Sequence, residues 1–287
     1  MIERCAVLAR AADEPLAGTA PVATRWAGLE HRAAWPDSVD SHPDPAVAGF
    51  VRRAAARGWR VVLIRRPGRR TATGRPRLIL ADTTTALATT LRIDGPGALA
   101  DVPLPEAGAP LPGTPVDDTP LLVCTHGRRD RCCAIDGRAL AGALVESGEP
   151  DVWECTHLGG HRFAPTALVL PTGYLYGRLD PETAATARKT AAAGEVQTAL
   201  CRGRSTWSHA GQVAELAVRE ATGLRDANAL RVVATDHGAE VHHLDNGRRW
   251  AVDLAHDGGG AGPCSTSCGV AVLRREALRV TAVRPLP

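Results

Sequence analysis

Phenylalanine and tyrosine are scarce in this 287-residue chain, two of each, and methionine occurs once. So few flat side chains leave little on which bases could stack, which argues against a platform for single-stranded nucleic acid. No run of 18 apolar residues exists, so no membrane-spanning helix is expected. The opening residues, MIERCAVLAR, lack the apolar core of a signal peptide, and the expectation is a soluble, cytoplasmic protein. Lysine is almost missing: nearly all of the positive charge is arginine, and its company of Ala, Gly and Pro reads as the footprint of GC-rich coding. Net charge is only +3, so the molecule is no polycation, and the basic stretch Arg65–Arg77 has no recognition motif around it. Nucleic acid and membrane are therefore not expected as partners.

The patterning that is present predicts an α/β protein in three regions. Residues 1–115 read as an N-terminal α/β region. It has strands at Thr24–His31, 60–66, 77–82 and 90–94, a helix over Pro45–Arg57 with Val47, Phe50 and Val51 on one face, and a Pro/Gly-rich linker at Gly95–Pro115. Residues 116–200 run strand (119–127), helix (137–148, stopped by Gly148), strand (151–157), hairpin (164–179) and helix (180–194, capped by Asp180 with Pro181 in its first turn). That β-α-β-β-β-α order is the order of a thioredoxin-like fold. Residues 201–287 read as a C-terminal α+β region: an amphipathic helix at 208–224, a strand at 230–236, a hairpin turning at Asn246–Gly247, and a last strand near Val270–Val283. No internal repeat is evident, and the glycine loop at 258–262 lacks a phosphate-binding pattern.

A thioredoxin-type CxxC is absent, yet cysteine is not. Eight are present, and four of them fall between Cys124 and Cys155. In a reducing compartment such clustering points to metal binding or thiol chemistry rather than a disulfide scaffold. Cys124 ends a predicted strand, and Cys132 and Cys133 precede a predicted helix, whose N-terminus favours thiolate. His157 and His161 leave the next strand. In a parallel βαβ unit these positions share one sheet edge. On a helix, the four-residue spacing of the two histidines would suggest a zinc pair. Gly159 and Gly160 between them predict instead a loop able to curl around a small inorganic centre.

These segments, CTHGRRDRCC and THLGGHRFAPTALVLPTGYLYGRL, resemble the signature of the sucrase/ferredoxin-like family, among the thioredoxin-like ferredoxins. PLAGTAPVATRW (15–26) and RGRSTWSHAGQVAELAVRE (202–220) are similar to its bacterial members. The resemblance implies a [2Fe–2S] cluster on a thioredoxin-like domain, with two cysteines on one iron and two histidines on the other. Carried over, the metal ligands are Cys124, Cys133, His157 and His161, and Cys132 competes with its neighbour for the second cysteine position. The implied function is one-electron transfer to or from a redox partner protein, a reductase or an oxygenase, with no catalytic residue identified. The "sucrase" of the family name is not followed, since no pair of carboxylates marks a glycosidase.

The donor set leaves two other readings open. Cys2His2 would equally suit a structural zinc ion, and the fold could run thiol chemistry without metal. Arg128, Arg129, Arg131 and Arg162 flank the ligands, either to stabilise negative charge and dock an acidic partner or as a solvated loop. Asp130 is expected to cap or pair with these arginines. Cys5 and Cys155 are expected to be buried thiols. Cys264 and Cys268 form a CxxxC whose spacing suits a second metal centre, with no evident further ligands.

Overall fold

The computed structural model describes residues 4–68, 74–256, 264–265, 268, 272–273 and 277–287, the side chains of 264–265 and 272–273 excepted. The glycine loop at 258–262 and residues 69–73 of the basic stretch lie outside the described residues. The N-terminal part contains α1 (Cys5–Ala11), β1 (Arg25–Glu30), α2 (Pro45–Ala56), β2 (Trp59–Arg65), β3 (Arg77–Asp82), β4 (Leu87–Arg92) and β5 (Thr114–Pro115). The central part contains β6 (Leu121–Cys124), α3 (Arg138–Glu146), β7 (Val152–Cys155), β8 (Ala167–Val169), β9 (Tyr174–Tyr176), α4 (Pro181–Ala192) and β10 (Cys201–Arg204). The last part contains α5 (His209–Thr222), β11 (Leu230–Thr235), β12 (Gly238–His243), β13 (Arg249–His256), β14 (Cys264–Ser265), β15 (Val272–Leu273) and β16 (Leu278–Leu286).

Local chemistry explains the helix starts. Asp44 accepts hydrogen bonds from the Ala46 and Val47 N–H groups ahead of Pro45, and α2 buries Val47, Phe50, Val51 and Ala54. Asp180 does the same for α4 through the Thr183 N–H, at 2.8 Å. Elements that were not expected include α1 and β10. The first is only seven residues long. The second reads CRGR, which looks like a loop but is wholly buried, because Arg202 and Arg204 spend their donors inside the protein. Arg204 donates to the carbonyls of Thr172, Ala227 and Thr83.

The strands form one mixed ten-stranded sheet, ordered β10-β9-β8-β6-β7-β2-β1-β3-β4-β5. Regions 1–115 and 116–200 thus share a sheet, joined where the ends of β2 and β7 pair antiparallel, Ile64 beside Cys155. The order holds a repeat that the sequence does not display. Outward from the junction run β7-β6-β8-β9 on one side and β2-β1-β3-β4 on the other. In each half the first two strands in sequence are parallel, joined through α3 or α2, and the next two are antiparallel.

Alternation along the strands sets the layers. Leu121 and Val123 of β6 pack with Leu140 and Leu144 of α3 and Ala184 and Ala187 of α4. Leu29 of β1 and Leu63 of β2 pack with Phe50 and Val51 of α2. The remaining faces meet each other: Trp26, Val62 and Ile79 from one half share a core with Leu122, Cys124, Trp153 and Leu168 from the other. The sheet is therefore curled, with its helix-free faces turned inward. The C-terminal part is a separate four-stranded sheet, β11-β12-β13-β16, covered by Ala214 and Val218 of α5. Gly247, with φ of 70°, makes the turn between β12 and β13. Among the described residues no helix is long and apolar enough to cross a membrane.

Candidate metal centre

The inner core ends at a group of donors. Parallel pairing sets Cys124 beside Cys155 at the ends of β6 and β7. After a loop the chain enters a π-helical turn, Cys133–Gly137, that leads into α3. Gly137 lets this turn reach β6: a Cβ there would overlap the carbonyl oxygen of Cys124. The close approach brings Cys133 back to Cys124. On the other side, the chain leaves β7 through Thr156, held by its N–H to the Leu63 carbonyl at 2.9 Å, and arrives at His157.

The sulfurs of Cys124 and Cys133 and a ring nitrogen of His157 lie within 4.8 Å of one another. The ring of His161 lies 5.0 Å from that of His157, centroid to centroid, tilted by 37°. His161 stands outside the three-residue group, with its Nε2 3.7 Å from an oxygen of Asp130. Cys132 faces elsewhere: its sulfur is 3.6 Å from that of Cys5 and 3.4 Å from that of Cys268. The neighbouring cysteines thus serve two different groups, and only Cys133 joins Cys124. Asp130 sits with the second group: its oxygens accept the N–H of Cys132 at 2.8 Å and of Cys268 at 3.0 Å.

The electrostatics follow from this packing. Hydrogen bonding from Cys133, helped by His157, holds the Cys124 thiol well below its usual pKa despite burial. Cys133 moves well above, because it shares a proton with Cys124 and is itself buried. Burial raises Cys155 as well, in line with its expected place as a core thiol. In the second group the hydrogen bond with Cys5 brings Cys132 down to about 7. Cys5 is fully buried, as expected, but lies among other donors.

Two guanidinium groups, not singled out in the sequence, underlie the His157–His161 loop, the buried Arg202 and the half-buried Arg60. Arg202 donates to the Gly159 carbonyl at 2.9 Å and also bonds Thr19. Burial lowers its pKa to about 9. A Cβ on Gly160, whose φ is 71°, would overlap this guanidinium, so the paired glycines are a fit to Arg202 as well as a turn. Arg60 lies over the Trp26 ring, lowered by burial and raised by Cys124 and Cys155. Of the flanking arginines, Arg162 is buried on Glu14 at 2.7 Å, while Arg128, Arg129 and Arg131 are exposed. His126, also not anticipated, hydrogen-bonds the Pro36 carbonyl at 2.8 Å. A cleft of about 540 Å³ lined by Asp37, Asp40, Arg60, His126 and Arg129 opens on His157. Only the strand-end position of His126, two residues after Cys124, could have marked it in the sequence.

Two thiols that can ionise and two imidazoles make a donor set of the kind that binds soft or borderline metals. The fit has a second sign: His157 Nδ1 is buried with no hydrogen-bond partner among the described residues. Such an atom is costly unless something completes it. No curated protein and no solved structure matches the chain. A family model described as sucrase/ferredoxin-like matches residues 16–203, which hold all four of these donors together with Arg202, and the chain belongs to that family.

Proposed function

We propose that this protein is a ferredoxin-like electron carrier holding a [2Fe–2S] cluster on Cys124, Cys133, His157 and His161. The observation that carries the reading is the convergence of Cys124, Cys133 and His157 to within 4.8 Å, from two strand ends and a helix start. The β6-α3-β7-β8-β9-α4 order, with β6 central and β7 parallel to it, supports a thioredoxin-like frame around it. A bound cluster of this type supplies reversible one-electron chemistry, with histidine ligation raising its potential. The residues of the chain do the rest. Burial of both thiols keeps water from the sulfurs. Arg60 and Arg202 hold fixed positive charge beneath the site, which favours the more negative state. The cleft at His157 leaves one side open for a partner. A reductase or oxygenase in the cytoplasm fits this reading, with the exposed Arg128, Arg129 and Arg131 offering a basic docking rim.

The test is iron and acid-labile sulfide analysis of anaerobically purified protein, with absorption and electron paramagnetic resonance spectra. Two irons and two sulfides per chain are expected, in a red-brown protein. A colourless protein holding zinc that Cys124→Ser removes would assign the same four donors to a structural ion instead.

A further inference from the structure

We propose that the chain has a second metal site, for a single tetrahedral ion of the zinc type, on the thiolates of Cys5, Cys132 and Cys268 and the carboxylate of Asp130. The geometry argues for one ion and not a cluster. The three sulfur–sulfur distances are 3.4 Å, 3.6 Å and 3.7 Å. Zinc–sulfur bonds of about 2.3 Å in a tetrahedron place sulfurs about 3.75 Å apart. A zinc–oxygen bond of about 2.0 Å places the oxygen about 3.5 Å from each sulfur. Asp130 Oδ1 lies 3.5 Å from the Cys268 sulfur and 3.7 Å from that of Cys5. Five of the six edges of one coordination tetrahedron are thus outlined, and the sixth, Asp130 to Cys132, lies within 4.8 Å. Thiolates bound to different irons of a cluster would stand further apart than one such edge.

The surroundings hold these donors in place. Asp130 Oδ1 accepts the Cys132 N–H and Oδ2 the Cys268 N–H, so the carboxylate fixes the backbone of two of its fellow ligands. The Cys5 N–H points at the Cys268 sulfur at 3.5 Å. Outer hydrogen bonds of this kind orient ligands and sustain thiolate charge. The site draws together three distant parts of the chain: Cys5 opening α1, Cys132 ahead of the π-helical turn, and Cys268 of the C-terminal segment, 263 residues from Cys5. Cys5 and Cys268 lie outside the segment that the family model matches, while Asp130 and Cys132 lie within it, so the site joins the matched segment to both flanks. It also adjoins the first centre. Cys132 and Cys133 are neighbours, and Asp130 Oδ2 is 3.7 Å from His161 Nε2.

Metal analysis of the full-length protein, grown with zinc and purified anaerobically, tests this. One zinc per chain is expected in addition to any iron. Cys268→Ser and Asp130→Asn should each lower the zinc content at least tenfold at a fixed chelator concentration. Cys124→Ser should leave the zinc in place whether or not the first centre holds iron, which separates this proposal from the preceding one. Should Cys268→Ser fail to fold, Co2+ added to metal-stripped Cys124→Ser protein provides the second measurement. One equivalent should produce the intense d–d bands of a tetrahedral thiolate site. Three results would overturn the proposal: no bound zinc with the three thiols freely alkylated, a Cys132–Cys268 disulfide in the purified protein, or a second set of irons and sulfides that disappears in Cys268→Ser.

Discussion

At the scale of single residues, one glycine and a pair of adjacent cysteines decide the site. Gly160 has φ of 71° and lies against Arg202, so any side chain meets both a strained backbone and a buried guanidinium. Gly160→Ala should cost about 1–2 kcal/mol from the left-handed backbone alone, and should also reduce bound iron. Thermal unfolding and iron analysis would check this against Gly142→Ala. Gly142 lies in α3 with open space around it, and alanine there should stabilise by about 0.5–1 kcal/mol. If Gly160→Ala unfolds no earlier than wild type, Arg202 is not the constraint on the loop. The cysteines differ in the same local way. Cys124→Ser and Cys133→Ser should each remove most of the visible absorption, because each takes away a thiolate of the first group. Cys132→Ser should leave the absorption largely intact, since its sulfur faces Cys5 and Cys268. A spectrum lost in Cys132→Ser and kept in Cys133→Ser would reverse the assignment.

At the scale of elements, the attachment of α5 depends on a buried polar network. Glu215 and Arg219 are fully buried as an i,i+4 ion pair at 3.0 Å. Glu215 also accepts from the Tyr174 hydroxyl of β9, and Arg219 donates to the carbonyls of Leu224, Asp226 and Ala227. Removing one partner leaves the other charge buried without compensation. Glu215→Ala should therefore destabilise by about 3–5 kcal/mol, read as a shift in the denaturant midpoint. A loss below about 1 kcal/mol would mean that the pair behaves like a solvated surface bridge. The approach of α3 to β6 is a second such joint. Gly137→Ala pushes against the Cys124 carbonyl, a backbone atom that cannot swing aside. It should lower stability by about 1–3 kcal/mol and move Cys133 away from Cys124, visible as faster alkylation of both thiols in metal-free protein.

At the scale of the whole molecule, the curled sheet puts the two halves face to face and leaves the first centre at one end of their shared core. The net charge of +3 is small, so long-range steering must come from local charge. Arg129 is exposed and lines the cleft that opens on His157. Arg129→Glu should slow reduction by an acidic partner protein and flatten the dependence of the rate on ionic strength, as stopped-flow mixing would show. An unchanged salt dependence would move the docking surface away from this cleft.

Much of this was legible in the residues themselves. Asp44–Pro45 and Asp180–Pro181 mark helix starts through local hydrogen bonds, Asn246–Gly247 marks a hairpin turn through its permitted φ, and apolar runs such as RVVLIRR mark strands through burial on both faces. The donor types around Cys124 and His157 were equally plain, since their chemistry is a property of the side chains. What required the tertiary structure was every pairing between distant segments. CRGR becomes a buried strand only because carbonyls from other segments accept its guanidinium donors. The twofold arrangement of the sheet is a matter of strand order, which side-chain pattern does not encode. The separation of Cys132 from Cys133 came from the bend at Gly137 and from the arrival of Cys5 and Cys268. Sequence by itself determined which groups could bind a metal, because ligand chemistry is local. Only the fold decided which of them meet, because that depends on contacts between residues as far apart as Cys5 and Cys268.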